Sequence, residues 1–351
     1  MCQTLAIHLP IGRFYRIDFH PKPNDTITMI DILPFTYGVH HIEQTDAGVV
    51  FHRMTSELEA FYSYNEAALL RATCATNVRL RFRTNSTKLY LKLAYGQFAR
   101  PISCVNVLVE GAEPLCVDAE KVAEGFAKEL PLETKGEIKD VQVSFPHLAQ
   151  VVLQDFRLEE GAHIEAASPL KGKMVFVGDS IFQGMTSSCA ENSIEAIFGR
   201  KLGCDIHNIA VGGAIMQPEA VRLSRALGGT MVAINFGVND FAQAVPMAVF
   251  EQRTRESVRL LAEDAQNRKP YVVVPIPFPG ESGPNKEGLT SEDYRNCIRK
   301  AVAEYPVITL VEGMEFYPND RKYFVDSCHP NDAGSALYAE AFANSILSTR
   351  S

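Results

Sequence analysis

The 351-residue chain predicts two units of different fold class, a jelly-roll-like β-sandwich followed by a three-layer α/β/α unit. Up to about residue 167, short apolar or alternating runs are separated by turn residues, which is typical of sandwiches and jelly rolls. From about residue 171, continuous apolar runs alternate with helix-like stretches, which indicates a parallel sheet covered by helices on both faces. An Ala-Ser-Pro segment at 167–169 reads as a linker. We therefore predict domains at 1–167 and 171–351.

Alternating runs define the strands of the first half. Residues 78–83 alternate strictly, which places three apolar side chains on one face and three arginines on the other. Residues 88–94 alternate in the same way, and the Asn85-Ser86 pair between them predicts a turn, so the two runs are expected to form a hairpin. The arginine face is expected to be solvated or, alternatively, to face a ligand. The other predicted strands span 27–32, 49–53, 103–109, 141–145 and 151–158.

Five apolar runs in the second half are predicted to form parallel strands. An open parallel sheet binds its ligand beyond the carboxyl ends of its strands, so the residues that follow each strand are candidates for a functional site. The predicted strands span 173–177, 205–209, 231–235, 271–275 and 307–311, and the predicted helices span 192–202, 218–226, 247–266, 291–304 and 332–347.

Two of these segments carry residues suited to nucleophilic chemistry. Ser180 follows the first strand within Gly178-Asp179-Ser180, where a strand-to-helix turn would expose its hydroxyl near a helix N-terminus. It could equally well cap that helix. Asp326 and His329 stand three residues apart in a loop before the last helix, where a carboxylate can hold an imidazole in one tautomer and orientation.

Two further strand ends offer hydrogen-bond donors. Gly212 and Gly213 follow the second strand, where glycine lets a backbone N–H approach a ligand but also serves a tight turn. Asn239 follows the third strand, where its amide can donate into the cleft or cap the next helix. Together with the serine, the aspartate and the histidine, these groups supply a nucleophile, a general base, an orienting acid and oxyanion donors.

The order of these sequence blocks resembles the SGNH (GDSL-type) hydrolases. The resemblance spans about half of the chain and implies the flavodoxin-like parallel sheet of the SGNH hydrolase fold. The preceding domain, with its strand end at 81–86, resembles the β-sandwich found ahead of some carbohydrate-active members. The blocks are Gly178-Asp179-Ser180, Asn208 to Gly213, Gly237-Val238-Asn239-Asp240 and Asp326-x-x-His329-Pro330.

The resemblance implies a role for each matched position. Ser180 would be the nucleophile, His329 the general base and Asp326 its orienting partner. The backbone amides of Ser180 and Gly213, with the side chain of Asn239, would form the oxyanion hole. The adjacent Gly212 is an alternative to Gly213.

The expected function is hydrolysis of a short-chain ester, such as an acetyl ester, on a carbohydrate or another small polar carrier. The two-domain resemblance points towards glycans, and a polar carrier fits a shallow cleft. The Pro-rich segment 275–284 is expected to wall this cleft or to serve as a rigid connector. The alternatives are an acyltransferase, a short-chain lipase or thioesterase with the same triad, and a glycan-binding protein with a vestigial catalytic domain.

Composition and missing motifs exclude several other functions. The net charge of −8, without a long basic run, argues against nucleic acid as a partner. No apolar stretch reaches the length of about 18 residues that a membrane-spanning helix needs. H-E-x-x-H, a Walker A loop, G-x-S-x-G and a G-x-G-x-x-G after the first strand do not occur, so neither a metal nor another cofactor is expected.

The remaining expectations concern location and cysteines. The start of the chain shows no charged segment followed by an apolar core, so we expect a cytoplasmic protein, or an exported one if a signal has been removed. The eight cysteines are scattered and form no C-x-x-C pair, which favours free, mostly buried thiols over disulfides. The sequence leaves the oligomeric state open.

Overall fold

The first half of the chain builds two antiparallel sheets in the computed structural model, which describes residues 30–348. One sheet has the order β1-β4-β9-β6-β7, with β11 paired to β4, and the other has the order β2-β3-β10-β5-β8. The strands are β1 (Thr36–Tyr37), β2 (His41–Thr45), β3 (Gly48–His52), β4 (Arg79–Thr84), β5 (Lys88–Phe98), β6 (Val105–Val109), β7 (Leu115–Val117), β8 (Phe126–Pro131), β9 (Lys139–Ser144), β10 (Ala149–Leu158) and β11 (Ile164–Ala166).

The two antiparallel sheets share one apolar core. Inward-facing residues of both sheets belong to a single buried cluster. The rings of Phe82 in β4 and Phe156 in β10, for example, meet edge to face with centroids 5.4 Å apart. Six of the predicted strands coincide with β3, β4, β5, β6, β9 and β10 to within a few residues. Of the seventh, predicted at 27–32, residues 27–29 lie outside the described residues and 30–32 are not in a strand.

The predicted hairpin is wrong. β4 pairs with β1, β9 and β11, whereas β5 pairs with β8 and β10 in the other sheet, so the chain crosses the core between them. Alternation correctly assigned the buried face of each strand, but it does not choose the pairing partner. Asn85-Ser86 also lacks the glycine that a tight two-residue hairpin favours. Instead, the crossing is held by Glu159, whose carboxylate accepts from the Thr87 amide at 2.7 Å.

The arginine face does not form a solvated surface as expected. Arg79 is buried, and its Nη2 lies 2.5 Å from Asp205 Oδ1 in the second half of the chain. Arg81 is half-buried, and Arg83 pairs with Glu165 at 2.6 Å. The face packs against the neighbouring unit because a stripe of cations can be buried where carboxylates and carbonyl groups meet it. A cavity of about 240 Å³ remains there, lined by Arg79, Arg81, Gln142, Glu191 and Arg200, among others.

Two short helices that we did not predict interrupt the first half. They are α1 (Ser56–Phe61) and α2 (Glu66–Thr73). Thr55 and Asn65 cap their N-termini by accepting backbone N–H groups, which is the usual role of these residue types. Leu58 and Tyr62, like Ala68 and Ala72 in α2, lie four residues apart and are buried in the core of the second half.

The second half forms a five-stranded parallel sheet with the order β13-β12-β14-β15-β16. Numbered within this half the order is 2-1-3-4-5, which is that of flavodoxin-like folds. α3 packs on α9, and α6 packs on both α4 and α7. The strands are β12 (Lys173–Gly178), β13 (Asp205–Asn208), β14 (Met231–Asn235), β15 (Lys269–Val274) and β16 (Thr309–Glu312), and the helices are α3 (Ile194–Leu202), α4 (Pro218–Leu223), α5 (Val238–Ala242), α6 (Met247–Glu263), α7 (Ser291–Ala303), α8 (Gly313–Phe316) and α9 (Asp332–Ser348).

The cysteines follow the expectation except for one pair. Cys104 and Cys116 are joined by a disulfide beside the β6–β7 hairpin, so the expectation of free thiols is wrong for this pair. The scattered spacing hid the bridge because strand pairing, not sequence, brings the two residues together. The free thiols of the described chain are the buried Cys74, Cys189, Cys204 and Cys297 and the partly exposed Cys328. Cys2 lies outside the described residues.

None of the helices in residues 30–348 is long and apolar enough to cross a lipid bilayer.

Candidate active site

The residues singled out in the sequence lie around the carboxyl ends of β12, β13 and β14. Ser180 lies two residues after β12, Gly213 lies in the turn after β13, and Asn239 lies in the first turn of α5 after β14. Asp326 and His329 come from the loop that precedes α9. Because parallel strands end at one edge of the sheet, turns that are distant in sequence meet there.

A chain of hydrogen bonds joins three of these side chains. The Nε2 atom of His329 lies 2.8 Å from the Oγ atom of Ser180. The Nδ1 atom of His329 lies 2.8 Å from Oδ2 and 3.0 Å from Oδ1 of Asp326. With the Nδ1 proton donated to the carboxylate, Nε2 is free to accept the proton of the serine hydroxyl.

The loop itself fixes the carboxylate of Asp326. Its Oδ1 accepts the backbone N–H groups of Cys328 and His329, both at 2.9 Å. Partial burial favours protonation of Asp326, but these two N–H groups and the imidazole outweigh it and lower its pKa. Asp326 is therefore an anion over the pH range in which the imidazole can act as a base.

A thiol and two buried carboxyl groups lie in the same sequence blocks as the candidate site residues. Burial, with the nearby acids Asp326 and Asp179, raises the pKa of Cys328 to about 12, so it remains a thiol beside His329. Burial likewise raises the pKa values of Asp179 and Asp240 to about 7.

Asp326, Cys328 and His329 bring potential metal ligands within 4.8 Å of one another. A protonated thiol and a carboxylate already bonded to the imidazole fit a metal poorly, so we keep the expectation of none.

The turn after β13 presents one free amide. The N–H of Gly212 donates to Oε1 of Gln183 at 2.7 Å and is therefore occupied. The amides of Gly213 and Ser180 have no acceptor among residues 30–348. The Nδ2 atom of Asn239 donates one hydrogen to the carbonyl of Ala214 at 3.0 Å, which leaves its second hydrogen available. Of the two glycines, it is therefore Gly213 whose N–H is free to donate to a negatively charged oxygen.

Two residues at this turn were not found from the sequence. Gln183 lies three residues after Ser180, within the same short block. A polar side chain so close to the proposed nucleophile could have been predicted to contact the site. Arg71 comes from α2 in the first half, and its Nη1 donates to the carbonyl of Gly212 at 2.9 Å. Nothing in the sequence around Arg71 indicates this contact, because it joins residues 141 positions apart.

A family resemblance is found in the second half. Residues 176–337, just under half of the chain, match the model of the GDSL-like lipase/acylhydrolase family. We call this segment the GDSL-like domain. Ser180, Gly213, Asn239, Asp326 and His329 all lie within it. A comparison with curated protein sequences finds no match.

Solved structures share the fold of the GDSL-like domain and of the β-rich half before it. The salicylyl-acyltransferase SsfX3 from a tetracycline biosynthetic pathway superposes with a TM-score of 0.75 at 21% identity, over 90% of this chain and 94% of that chain. A GDSL-like lipase from Bacteroides ovatus gives 0.72 at 18% identity, over 89% and 94%. A family two carbohydrate esterase from Clostridium thermocellum, solved with cellohexaose, gives 0.61 at 17% identity, over 79% and 94%.

Proposed function

We propose that the protein is a serine esterase that removes a short acyl group, such as acetyl, from a carbohydrate or another small polar carrier. The observation that carries this proposal is the hydrogen-bond chain from Ser180 through His329 to Asp326. The match of residues 176–337 to the GDSL-like family model supports the general chemistry. The likeness to structures that include carbohydrate esterases supports the choice of carrier.

In the proposed mechanism, Ser180 attacks the ester carbonyl while His329 accepts the serine proton. The carbonyl oxygen becomes an anion held by the amides of Ser180 and Gly213 and the side chain of Asn239, and donors of this kind are worth about 10²–10³ in rate each. Collapse of the tetrahedral intermediate releases the alcohol, which takes the proton from His329. Water, deprotonated by His329, then hydrolyses the acyl-enzyme. These steps use only water and side-chain or backbone groups of the chain.

The β-rich half has a separate role in this proposal. We infer that it is a jelly-roll-like sandwich that frames the catalytic cleft, with a domain boundary at the Ala-Ser-Pro segment. The contact of Arg71 with the turn after β13 supports this role. The absence of tryptophan also removes the side chain best suited to stacking on sugar rings, which disfavours a separate glycan-binding surface.

Acyl transfer is the second candidate. The same acyl-enzyme can be resolved by an alcohol instead of water, and SsfX3, which is named as an acyltransferase, is similar in fold over 90% of the chain. Incubation with p-nitrophenyl acetate, with and without sugar acceptors, separates the two reactions. An esterase releases acetate at the rate of nitrophenol, whereas a transferase forms an acetylated sugar without free acetate.

Substitutions of the three side chains test the proposed triad. Ser180→Ala and His329→Ala are expected to abolish hydrolysis, because they remove the nucleophile and its base. Asp326→Asn should lower kcat by about 10²–10⁴, since an amide presents N–H to Nδ1 and favours the wrong tautomer. Hydrolysis rates and melting curves are measured together, so that a loss of activity is not mistaken for unfolding.

Cys328→Ala is the matched control, because it removes the neighbouring thiol but leaves the three side chains in place. It should retain most of the activity. Hydrolysis by Ser180→Ala at the wild-type rate would refute the assignment.

A further inference from the structure

A guanidinium from the β-rich half reaches the turn that carries the proposed oxyanion donor. Arg71 lies in the last turn of α2, and its Nη1 donates to the carbonyl oxygen of Gly212 at 2.9 Å. Many arginines of residues 30–348 form ion pairs, but Arg71 is not among them. Its positive charge therefore acts on the peptide group without a neutralising carboxylate.

The contacted carbonyl and the free amide belong to the same peptide unit. The C=O of Gly212 and the N–H of Gly213 share one planar, conjugated group. A cationic donor on the oxygen withdraws electron density and makes the N–H a stronger donor, because hydrogen bonds in a chain polarise one another. The charge of Arg71 thus reaches a bound oxyanion through a single peptide group.

The same contact fixes the direction in which the amide points. Two adjacent glycines have more conformational freedom than any other pair, and Gly213 has a φ of 83°, in the region that glycine favours. The Arg71 hydrogen bond holds the carbonyl of Gly212 on one side, while Gln183 accepts the N–H of Gly212 on the other. The stem of Arg71 also covers the turn, since a Cβ at Gly212 would lie 3.2 Å from its Cδ.

Arg71 is itself held from its backbone. Its carbonyl oxygen accepts hydrogen bonds from Nε2 of Gln183 at 2.8 Å and from Nη2 of Arg53 at 2.6 Å. Gln183 therefore contacts both the residue that supplies the charge and the turn that receives it. With its backbone held in this way and its guanidinium already bonded to Gly212, Arg71 needs little reorganisation when charge develops on the substrate.

We propose that Arg71 is a positioning residue of the oxyanion hole, which orients and polarises the Gly212–Gly213 peptide. The proposal rests on the esterase function proposed above. Because the charge on the substrate oxygen is largest in the transition state, Arg71 should contribute to kcat and little to ester binding.

The test compares Arg71→Met, Arg71→Gln and Arg71→Lys in the 351-residue chain. Methionine keeps the apolar stem, glutamine keeps an N–H donor without charge, and lysine keeps both a donor and the charge. We expect Arg71→Met to lower kcat on p-nitrophenyl acetate about tenfold to a hundredfold, less than the loss of a whole oxyanion donor, with KM within about twofold. Arg71→Lys should retain most of the activity, and Arg71→Gln should fall between the two.

A boronic acid gives a readout that does not depend on turnover. Its boron accepts the Oγ lone pair of Ser180, the serine proton passes to His329, and the resulting tetrahedral anion places an oxygen in the oxyanion hole. The affinity of butylboronic acid should fall in Arg71→Met by the same factor as kcat. Arg222→Met in α4, which removes an exposed arginine paired with Glu219, is the control and should change neither quantity.

Three results would overturn the proposal. They are an Arg71→Met variant with wild-type kcat and boronate affinity, a loss confined to KM or to negatively charged esters, and equal kcat values for Arg71→Lys and Arg71→Gln. The comparison of Arg71→Lys with Arg71→Gln tests the role of the charge even if Arg71→Met fails to fold. A wild type that neither hydrolyses esters nor binds the boronate removes the esterase function together with this role, whereas an active wild type with an unaffected Arg71→Met removes only the role of Arg71.

Discussion

Asp179, next to the proposed nucleophile, is a buried carboxyl group whose neutral form is favoured by the fold. It is fully buried, its Oδ1 accepts the N–H of Ile181 at 2.9 Å, and its Oδ2 has no partner among residues 30–348. Burial is the main reason that its pKa rises to about 7. Between its usual pKa near 4 and about 7, the folded protein therefore binds a proton that the unfolded chain has lost, so the stability due to this group falls as the pH rises through that window.

Asp179→Asn is expected to remove this pH dependence. The amide oxygen can still accept from Ile181, and an amide does not ionise. From about pH 5 to about pH 8, the free energy of unfolding of the variant should gain roughly 2–3 kcal/mol relative to the wild type, and the difference should stay constant at higher pH. Urea unfolding of both proteins at several pH values measures it. The values at about pH 5, where the side chain at position 179 is neutral in both folded proteins, serve as the internal reference, and a difference that does not change with pH would contradict the prediction.

At this scale, the sequence predicted the residues that carry their own local signal. The sequence blocks of Ser180, Asp326 and His329 are short, and the residues within a few positions of each were enough to indicate its chemistry. The structure brings these three side chains together. Their catalytic roles stay predictions. Arg71 could not be predicted, because its function depends on a contact with Gly212 across 141 residues.

Elements were predicted well where their pattern is local. The strands of the parallel sheet appear close to their expected positions, because continuous apolar runs between helices are compatible with few structures other than buried strands. Pairing partners were not predictable in the same way, as the separation of β4 from β5 into different sheets demonstrates. α1 and α2 were missed because helices of six and eight residues show too few turns to establish a period, although Thr55 and Asn65 are regular capping residues.

α9 positions the loop of the proposed base through its first turn. Asn331 accepts the N–H of Gly334 at 2.9 Å and donates to the carbonyl of Lys322 at 2.7 Å, which ties the start of the helix to the loop that carries His329. Gly334 is required there by close approach. A Cβ at this position would overlap the hydroxyl of Tyr317 and the carbonyl oxygen of Tyr323.

Gly334→Ala therefore has two opposite effects on the stability of the protein. Alanine is favoured over glycine in a helix by about 1 kcal/mol. The overlap involves a backbone carbonyl that cannot rotate away, and overpacking of this kind costs about 1–3 kcal/mol. We expect the overlap to dominate, so that the melting temperature and kcat both fall as the loop of Asp326 and His329 shifts. Ser345→Ala in the same helix should change stability by no more than about 0.5 kcal/mol. An alanine variant more stable than the wild type would show that helix propensity dominates instead.

The two halves form one body through buried polar contacts as well as apolar ones. α1 and α2 contribute their apolar residues to the core of the GDSL-like domain. On the other side of the contact, Glu191 accepts from Gln142 at 2.7 Å and from Ser144 at 2.5 Å in β9. The sequence predicted two units but not the faces by which they meet. A stripe of arginines in a strand indicates a solvent-exposed face, and the sequence does not show that a carboxylate of the second half packs against it.

Arg53 lies at the centre of this junction. It is fully buried, and its guanidinium donates to the carbonyl oxygens of Cys74, Arg71, Asn208 and Ala210, at 2.6 to 3.1 Å. Burial lowers its pKa to about 10, which still leaves it charged at neutral pH. Two of the four carbonyl groups belong to the first half, and the other two lie at the last residue of β13 and two residues beyond it, so one side chain satisfies buried acceptors in both halves.

Arg53→Met should destabilise the whole molecule, because methionine fills much of the same space but leaves four buried carbonyl oxygens without their donor. Unsatisfied buried acceptors cost about 1–3 kcal/mol each before relaxation, so we expect a loss of about 3 kcal/mol or more in the free energy of unfolding. Urea unfolding followed by circular dichroism measures the loss, since the chain has no tryptophan to report it.

Arg83→Met is the matched control for Arg53→Met. Arg83 also lies in the first half, but its ion pair with Glu165 is half-exposed, and such pairs contribute only about 0–1 kcal/mol. If Arg53→Met were no less stable than Arg83→Met, the junction would not depend on the buried guanidinium. If it is much less stable, and its β-rich half and GDSL-like domain also unfold in separate steps, then Arg53 couples the two halves into one cooperative unit. The helix that carries Arg71 would then be held against the proposed oxyanion turn by the same residue that joins the halves.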